Sequence, residues 1–169
     1  THRQLMHDLS VQAALIKRID SAVEVLGEHQ LFVDKSSRWN TANGGRMNKP
    51  DALIRRARGG MLAIEYEMTR KAKGRIYHAF QSHALALQNE LYHGVIYLFP
   101  NEGVMKSYVD LFNEAIWPIY SRDRLKGHVV MESGLYTLSK EQRSKGFRFM
   151  VENYYQGTAP ARRSQLQTD

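Results

Sequence analysis

Three acidic residues and a lysine stand at spacings that can do chemistry. Asp51 follows Pro50 and opens the apolar run Ala52-Leu53-Ile54. Glu65 and Glu67 flank Tyr66 after Ala63-Ile64, and Lys71 follows shortly after. Alternation along a strand puts Met61, Ala63, Glu65 and Glu67 on one face and Leu62, Ile64, Tyr66 and Met68 on the other. The second is the better core face, so the sequence predicts an open acidic spot beside the small Ala63. A hairpin turn at Arg58-Gly59-Gly60 would bring Asp51 to the same spot. Three carboxylates that close repel one another unless protons or a cation neutralise them. Oxygen ligands with open positions suit Mg²⁺ or Mn²⁺, and such an ion polarises a phosphate and acidifies an attacking water. Lys71 and Lys73 would then stabilise charge developing on the phosphate. The plain alternative is a pair of solvated acids on an edge strand.

The charge distribution sharpens the choice. The chain has 169 residues, 24 Lys and Arg against 17 Asp and Glu, and a formal charge of +7. Residues 35–76 hold eleven of the cations (Lys35, Arg38, Arg46, Lys49, Arg55, Arg56, Arg58, Arg70, Lys71, Lys73 and Arg75) and only the three acids named above. That segment accounts for the whole surplus. A clustered basic surface attracts a polyanion and binds it by counterion release, whereas an isolated Arg-rich loop would merely be solvated. An acidic metal site ringed by cations is what a phosphodiester substrate requires. With no cysteine in the chain, disulfide scaffolds, zinc fingers, iron–sulfur sites and thiol catalysis are excluded. Any metal bound here should be held by oxygen. No apolar run reaches the ~18 residues of a membrane span, so a cytoplasmic protein is expected.

The elements that must position these residues follow from periodicity. Spacings of three and four predict a helix over 4–27, closed by Gly27. Strands are predicted at 31–33, 51–56, 61–68, 94–99 and 128–131. Helices are predicted at 71–91, with Ile76, Phe80, Ala84, Leu87 and Leu91 in one stripe, at 104–117 before Pro118, and at 147–155. Residues 39–48, with Asn43-Gly44-Gly45, read as a loop. Without repeats or a linker, residues 1–157 read as one domain, and 158–169 as a basic flexible tail. The order predicts an α/β fold with a mixed central β-sheet flanked by helices.

Pro50-Asp51, then Glu65-x-Glu67, then a Lys-bearing helix resembles the PD-(D/E)xK nuclease core, and the order of elements over 4–99 resembles that restriction-endonuclease-like fold. The usual pattern has Lys where Glu67 stands, so the lysine's work would pass to Lys71 or Lys73. More narrowly, RMNKPDALI followed by MLAIEYEMTRKAKGRIYHAF, with MHDLSVQAALIKRID upstream, resembles the replication-relaxation family, which includes the MobC-type plasmid relaxases. The resemblance spans about residues 6–99. It implies a metal-dependent nuclease that nicks one strand of DNA at a plasmid transfer origin to start conjugative mobilisation. Accessory mobilisation and coupling proteins would be partners, and a winged-helix segment would precede Thr1. Asp51 and Glu65 would ligate Mg²⁺ or Mn²⁺, and Glu67 would be a further ligand or the general base. Lys71 would bind the scissile phosphate, and Arg46, Lys49, Arg55, Arg56, Arg58, Arg70, Lys73 and Arg75 would bind DNA. A degenerate nuclease fold that only binds DNA in replication control, or a repair or junction-resolving nuclease, are the alternatives.

Two further residues are secondary candidates. Glu24, on the first predicted helix, stands where many nucleases of this fold supply another acid, and His7 would hold a phosphate or a metal-bound water. Exposure or capping is the plainer reading of both. His78 and His83 are five apart, misaligned for joint metal binding on a helix. No His-x-His string exists, so the metal triad of tyrosine relaxases is missing and water is the expected nucleophile. Tyr66 should face away from the acids. Tyr77 and Tyr97 read as core, and Tyr154-Tyr155 resembles paired catalytic tyrosines only superficially.

Overall fold

A computed structural model describes residues 1–33, 39, 47–122 and 128–154. A mixed five-stranded sheet is flanked by helices, as the pattern predicts. In chain order the elements are α1 (His2–Ile16), β1 (Ala22–Gly27), α2 (Glu28–Val33), β2 (Ala52–Arg56), β3 (Met61–Tyr66), α3 (Lys73–Gln88), β4 (Gly94–Phe99), α4 (Glu102–Asn113), β5 (Ile116–Arg122), β6 (Val129–Thr137) and β7 (Phe147–Val151). The large sheet runs β1-β2-β3-β4-β7, and β5 and β6 form a separate antiparallel ribbon. β1, β2 and β3 pair antiparallel, while β4 and β7 run parallel to β3.

The β2–β3 turn fixes the geometry of the site. Gly59 has φ +86°, and Gly59 N–H donates to Arg56 O while Arg56 N–H donates to Gly60 O. This is a three-residue hairpin closed by a left-handed glycine, a conformation that costs other residues dearly. It pairs Leu53 with Ala63 and Ala52 with Ile64. Continuing that register past the last ladder pair sets Asp51 opposite Glu65.

Each face of the sheet is covered. Leu53, Ala63, Val95, Tyr97, Phe99 and Phe147 pack under Ile76 and Phe80 of α3 and Tyr108 and Phe112 of α4. Ala52, Ile54, Ile64, Tyr66, Ile96 and Leu98 pack under Val11 and Ala14 of α1. Every residue of β4 is buried, as a central strand with two covered faces requires. The β5–β6 ribbon leans on α3. Trp117 stacks on Tyr136 at 5.9 Å, and a Cβ on Gly74 would meet the Tyr120 ring at 2.6 Å.

Four predicted elements are corrected. The helix predicted over 4–27 ends at Ile16, and β1 replaces its second half. Val23 and Val25 are β-branched and suit an edge strand, and the expected stripe is not the core one. Leu9, Ile16, Ile19 and Val23 are exposed, while Met6, Val11 and Ala14 are buried. The strand predicted at 31–33 belongs to α2. The helix over 104–117 stops at Asn113, where Ala115 turns to φ +60°, and Trp117 and Pro118 enter β5. Pro118 is tolerated there because the ribbon edge is irregular; the Gln81 side chain donates to Pro118 O and accepts from Tyr120 N–H. The helix over 147–155 is strand β7, in which Phe147 and Phe149 pack on the sheet while Arg148 is exposed. Most of the predicted loop at 39–48 and all of the tail at 158–169 lie outside the described residues. Among the described residues no helix is long and apolar enough to cross a membrane.

Candidate functional site

The β2–β3 hairpin, the segment after it and α1 bring five of the predicted residues together. Asp51 Oδ2 accepts from Tyr66 N–H at 2.8 Å, which ties the acid to the end of β3. His7, from α1, places Nε2 3.3 Å from the same Asp51 oxygen. Its hydrogen bond with Asp51 outweighs the burial that opposes charge and lifts the imidazole to about 9. Lys71 reaches back from the β3–α3 connection to put Nζ 2.7 Å from Glu67 Oε1.

The acids are not in an open spot. Glu65 and Glu67 are each 4% exposed, because α3 and α4 cover the face that alternation assigned to solvent. Burial raises both carboxyls above the ordinary range, and the charges of Asp51 and Glu67 push Glu65 well up. Lys71 works against the rise on both. Burial lowers the Lys71 ammonium, yet Glu67 and Glu65 overcome this and hold it charged. The cluster is therefore acid-rich, with Lys71 and His7 the cations that meet its three carboxyls.

Residues that sequence reasoning did not place at the site complete it. His83 of α3, fully buried, sets Nε2 2.8 Å from Glu65 Oε1 and Nδ1 2.6 Å from the Tyr92 hydroxyl. Burial depresses its imidazole to about 3, so it is neutral. Tyr97 stands beside Glu65 in the β3–β4 register. Its hydroxyl is the one buried side-chain polar atom among the described residues that lacks a hydrogen-bond partner. The charges of Glu65 and Glu67 reach it and add to the burial that keeps it protonated. An orphaned buried donor among carboxylates fits a site that takes up a polar guest. The signal for His83 was present: Ile76, Phe80, His83 and Leu87 share one helical stripe.

The remaining predicted residues separate. Arg70, Lys73 and Arg75 are exposed and stand within four residues of Lys71 along the chain. Arg55, Arg56 and Arg58 sit at the opposite end of the hairpin, about 13 Å along the strand from Asp51, so the basic segment is split. Glu24 is corrected likewise: it lies on β1, not on a helix, and pairs with Arg55 at 2.8 Å, far from the other acids. Lys49 donates to Leu31 O at 2.5 Å and lies over the Trp39 ring, so it faces protein. Arg46 lies outside the described residues. Tyr66 faces away from the acids as predicted, and Tyr154 packs near it.

No family model matches this chain, and neither a curated protein nor a solved structure matches it.

The donor set is oxygen-rich, as a hard divalent cation prefers. Among the described residues, however, no three His, Asp or Glu side chains converge at ligating distances. One Glu65 oxygen is held by His83 and one Glu67 oxygen by Lys71, which leaves a second oxygen on each. Asp51, Glu65 and Glu67 have the right chemistry for Mg²⁺ or Mn²⁺, and Lys71 would have to yield Glu67 for all three to serve.

Proposed function

We propose that this chain is a metal-dependent DNA endonuclease with a restriction-endonuclease-like core, a relaxase that nicks one strand at a plasmid transfer origin. The observation that carries the reading is the gathering of Asp51, Glu65 and Glu67 around Lys71 at one end of β3, with too few cations to balance them. The α1-β1-α2-β2-β3-α3-β4 order, with three antiparallel strands and a parallel fourth, supports the fold, the short α2 being an addition to the expected order. When bound, Mg²⁺ or Mn²⁺ would polarise the scissile phosphate and acidify the attacking water.

The chain's own groups do the rest. Asp51 and Glu65 hold the ion, Asp51 being fixed by Tyr66 N–H and His7. Glu67, once released by Lys71, is a further ligand or takes the proton of the attacking water. Lys71 then faces the phosphate and offsets its growing negative charge. Arg70, Lys73 and Arg75 bind flanking phosphates. Water attacks phosphorus, the P–O bond to the leaving strand breaks, and the leaving oxygen is protonated from solvent.

The test is nicking of supercoiled plasmid bearing a transfer origin, with Mg²⁺ or Mn²⁺. Asp51→Ala and Glu65→Ala should each reduce nicking by about a thousandfold, roughly 4 kcal/mol of barrier. Undiminished nicking by either variant overturns the assignment. A second reading, a DNA-binding module with an inactive nuclease fold, is favoured by the closed Lys71–Glu67 pair. It predicts salt-sensitive DNA binding without any calorimetric signal for Mn²⁺.

A further inference from the structure

We propose that His83 and Tyr92 are positioning residues for Glu65, holding one of its oxygens so that the other is presented to a divalent cation. The inference rests on the metal-site reading above and names the groups that make the site selective in its geometry.

Two hydrogen bonds form a chain that runs from the core to the cluster: Tyr92 to His83 at 2.6 Å and His83 to Glu65 at 2.8 Å. All three side chains are buried, Tyr92 and His83 completely. A neutral imidazole has one donor and one acceptor nitrogen. The arrangement that uses both is Tyr92 O–H donating to Nδ1 and Nε2–H donating to Glu65 Oε1. The opposite arrangement would leave the Tyr92 hydrogen buried without an acceptor, which is unfavourable. Tyr92 therefore selects the imidazole tautomer, and the tautomer selects the Glu65 rotamer.

The cost of keeping a histidine there argues for a role beyond packing. It occupies a position on the α3 stripe that a leucine would fill, between Phe80 and Leu87. Packing alone would not need a polar group facing Glu65. Outer-shell hydrogen bonds of this kind orient metal ligands, and their loss costs about 10–100-fold in metal affinity.

Titration calorimetry with Mn²⁺ alone, on the full chain, reads the effect directly. Tyr92→Phe, which removes one oxygen and keeps the ring, should weaken Mn²⁺ binding about tenfold. His83→Leu should weaken it about a hundredfold. His83→Gln, whose amide can still donate to Oε1, should recover most of that loss. Thermal melts separate a structural role, which would lower the melting temperature and leave Mn²⁺ affinity where it was. Wild-type affinity in folded Tyr92→Phe overturns the inference even if His83→Leu fails to fold. Absence of Mn²⁺ binding by the wild type overturns the metal-site reading and this inference with it. Binding by the wild type with unchanged variants overturns this inference alone.

Discussion

Glu65 and Glu152 are both buried glutamates at strand ends of the same sheet, one near the end of β3 and the other just past β7, and their surroundings differ in the sign of what they lack. Glu152 is met by two cations. Arg18 donates to both carboxylate oxygens, at 2.7 and 3.0 Å, and Lys17 to one at 3.0 Å. Tyr154 O–H donates to the carboxylate as well. Burial alone would raise Glu152, but these partners bring it down to about 2. Its backbone carbonyl is also used, accepting from Tyr66 O–H at 2.9 Å. Glu65 instead faces a neutral histidine and two other acids. One carboxylate closes the fold across residues 17 to 154, while the other is left wanting a positive charge. A buried acid that is fully answered holds structure together, whereas one whose carboxyl is pushed up by burial and like charge is a candidate for a functional site.

The sharpest way to break this contrast is to neutralise each acid in turn and follow denaturant unfolding. Glu152→Ala strands the Arg18 guanidinium against the core and should cost about 3 kcal/mol. Glu65→Gln keeps the shape and the bond to His83 while removing repulsion. It should change stability by no more than about 1 kcal/mol, in the stabilising direction. Equal losses in the two variants would end the distinction.

Acid titration of stability separates the two by sign. A glutamate ordinarily titrates near 4.5. Because Glu152 is depressed when folded, its contribution is present above that value and is lost as pH falls towards about 2. Glu65 is raised when folded, so its site is at ease below the ordinary value and loses stability as pH climbs through its folded pKa. Glu65→Gln should remove the high-pH loss and leave the acid limb unchanged, as unfolding curves measured from pH 2 to 8 would reveal.

The smallest effect belongs to His7. Its imidazole, raised to about 9 beside Asp51, contributes fully below its ordinary 6.5 and loses that contribution as pH rises through 9. His7→Ala should cost about 1 kcal/mol at pH 6 and nothing at pH 10. A pH-independent cost would show that the residue acts by packing.

How far the sequence could be read depended on the range of the signal. Asp51, Glu65 and Glu67 were legible because alternation and a turn are local. The fully apolar β4 was legible for the same reason. Burial of the acids was not, since it depends on α3 crossing that face, a long-range fact. β1 was misread because its apolar residues also satisfy helical spacing. The strand preference of Val23 and Val25 wins only through pairing with β2. β7 was misread similarly, its alternation being short and partly aromatic. His83 was weighed only against His78, and Tyr92 escaped notice, because their meaning lies in each other and in Glu65.

The left-handed glycine at the far end of the β2–β3 hairpin has a consequence of parity. Loop length decides which residues of β3 face α3, since each strand residue points opposite to its neighbour. One residue more or fewer between Arg56 and Met61 would tend to shift the pairing by one and hand Tyr66 to the α3 side. Glu65 and Glu67 would then face α1, with neither His83 nor Lys71 to meet them. Length changes in that turn are thus constrained to even numbers, though it touches none of the acids.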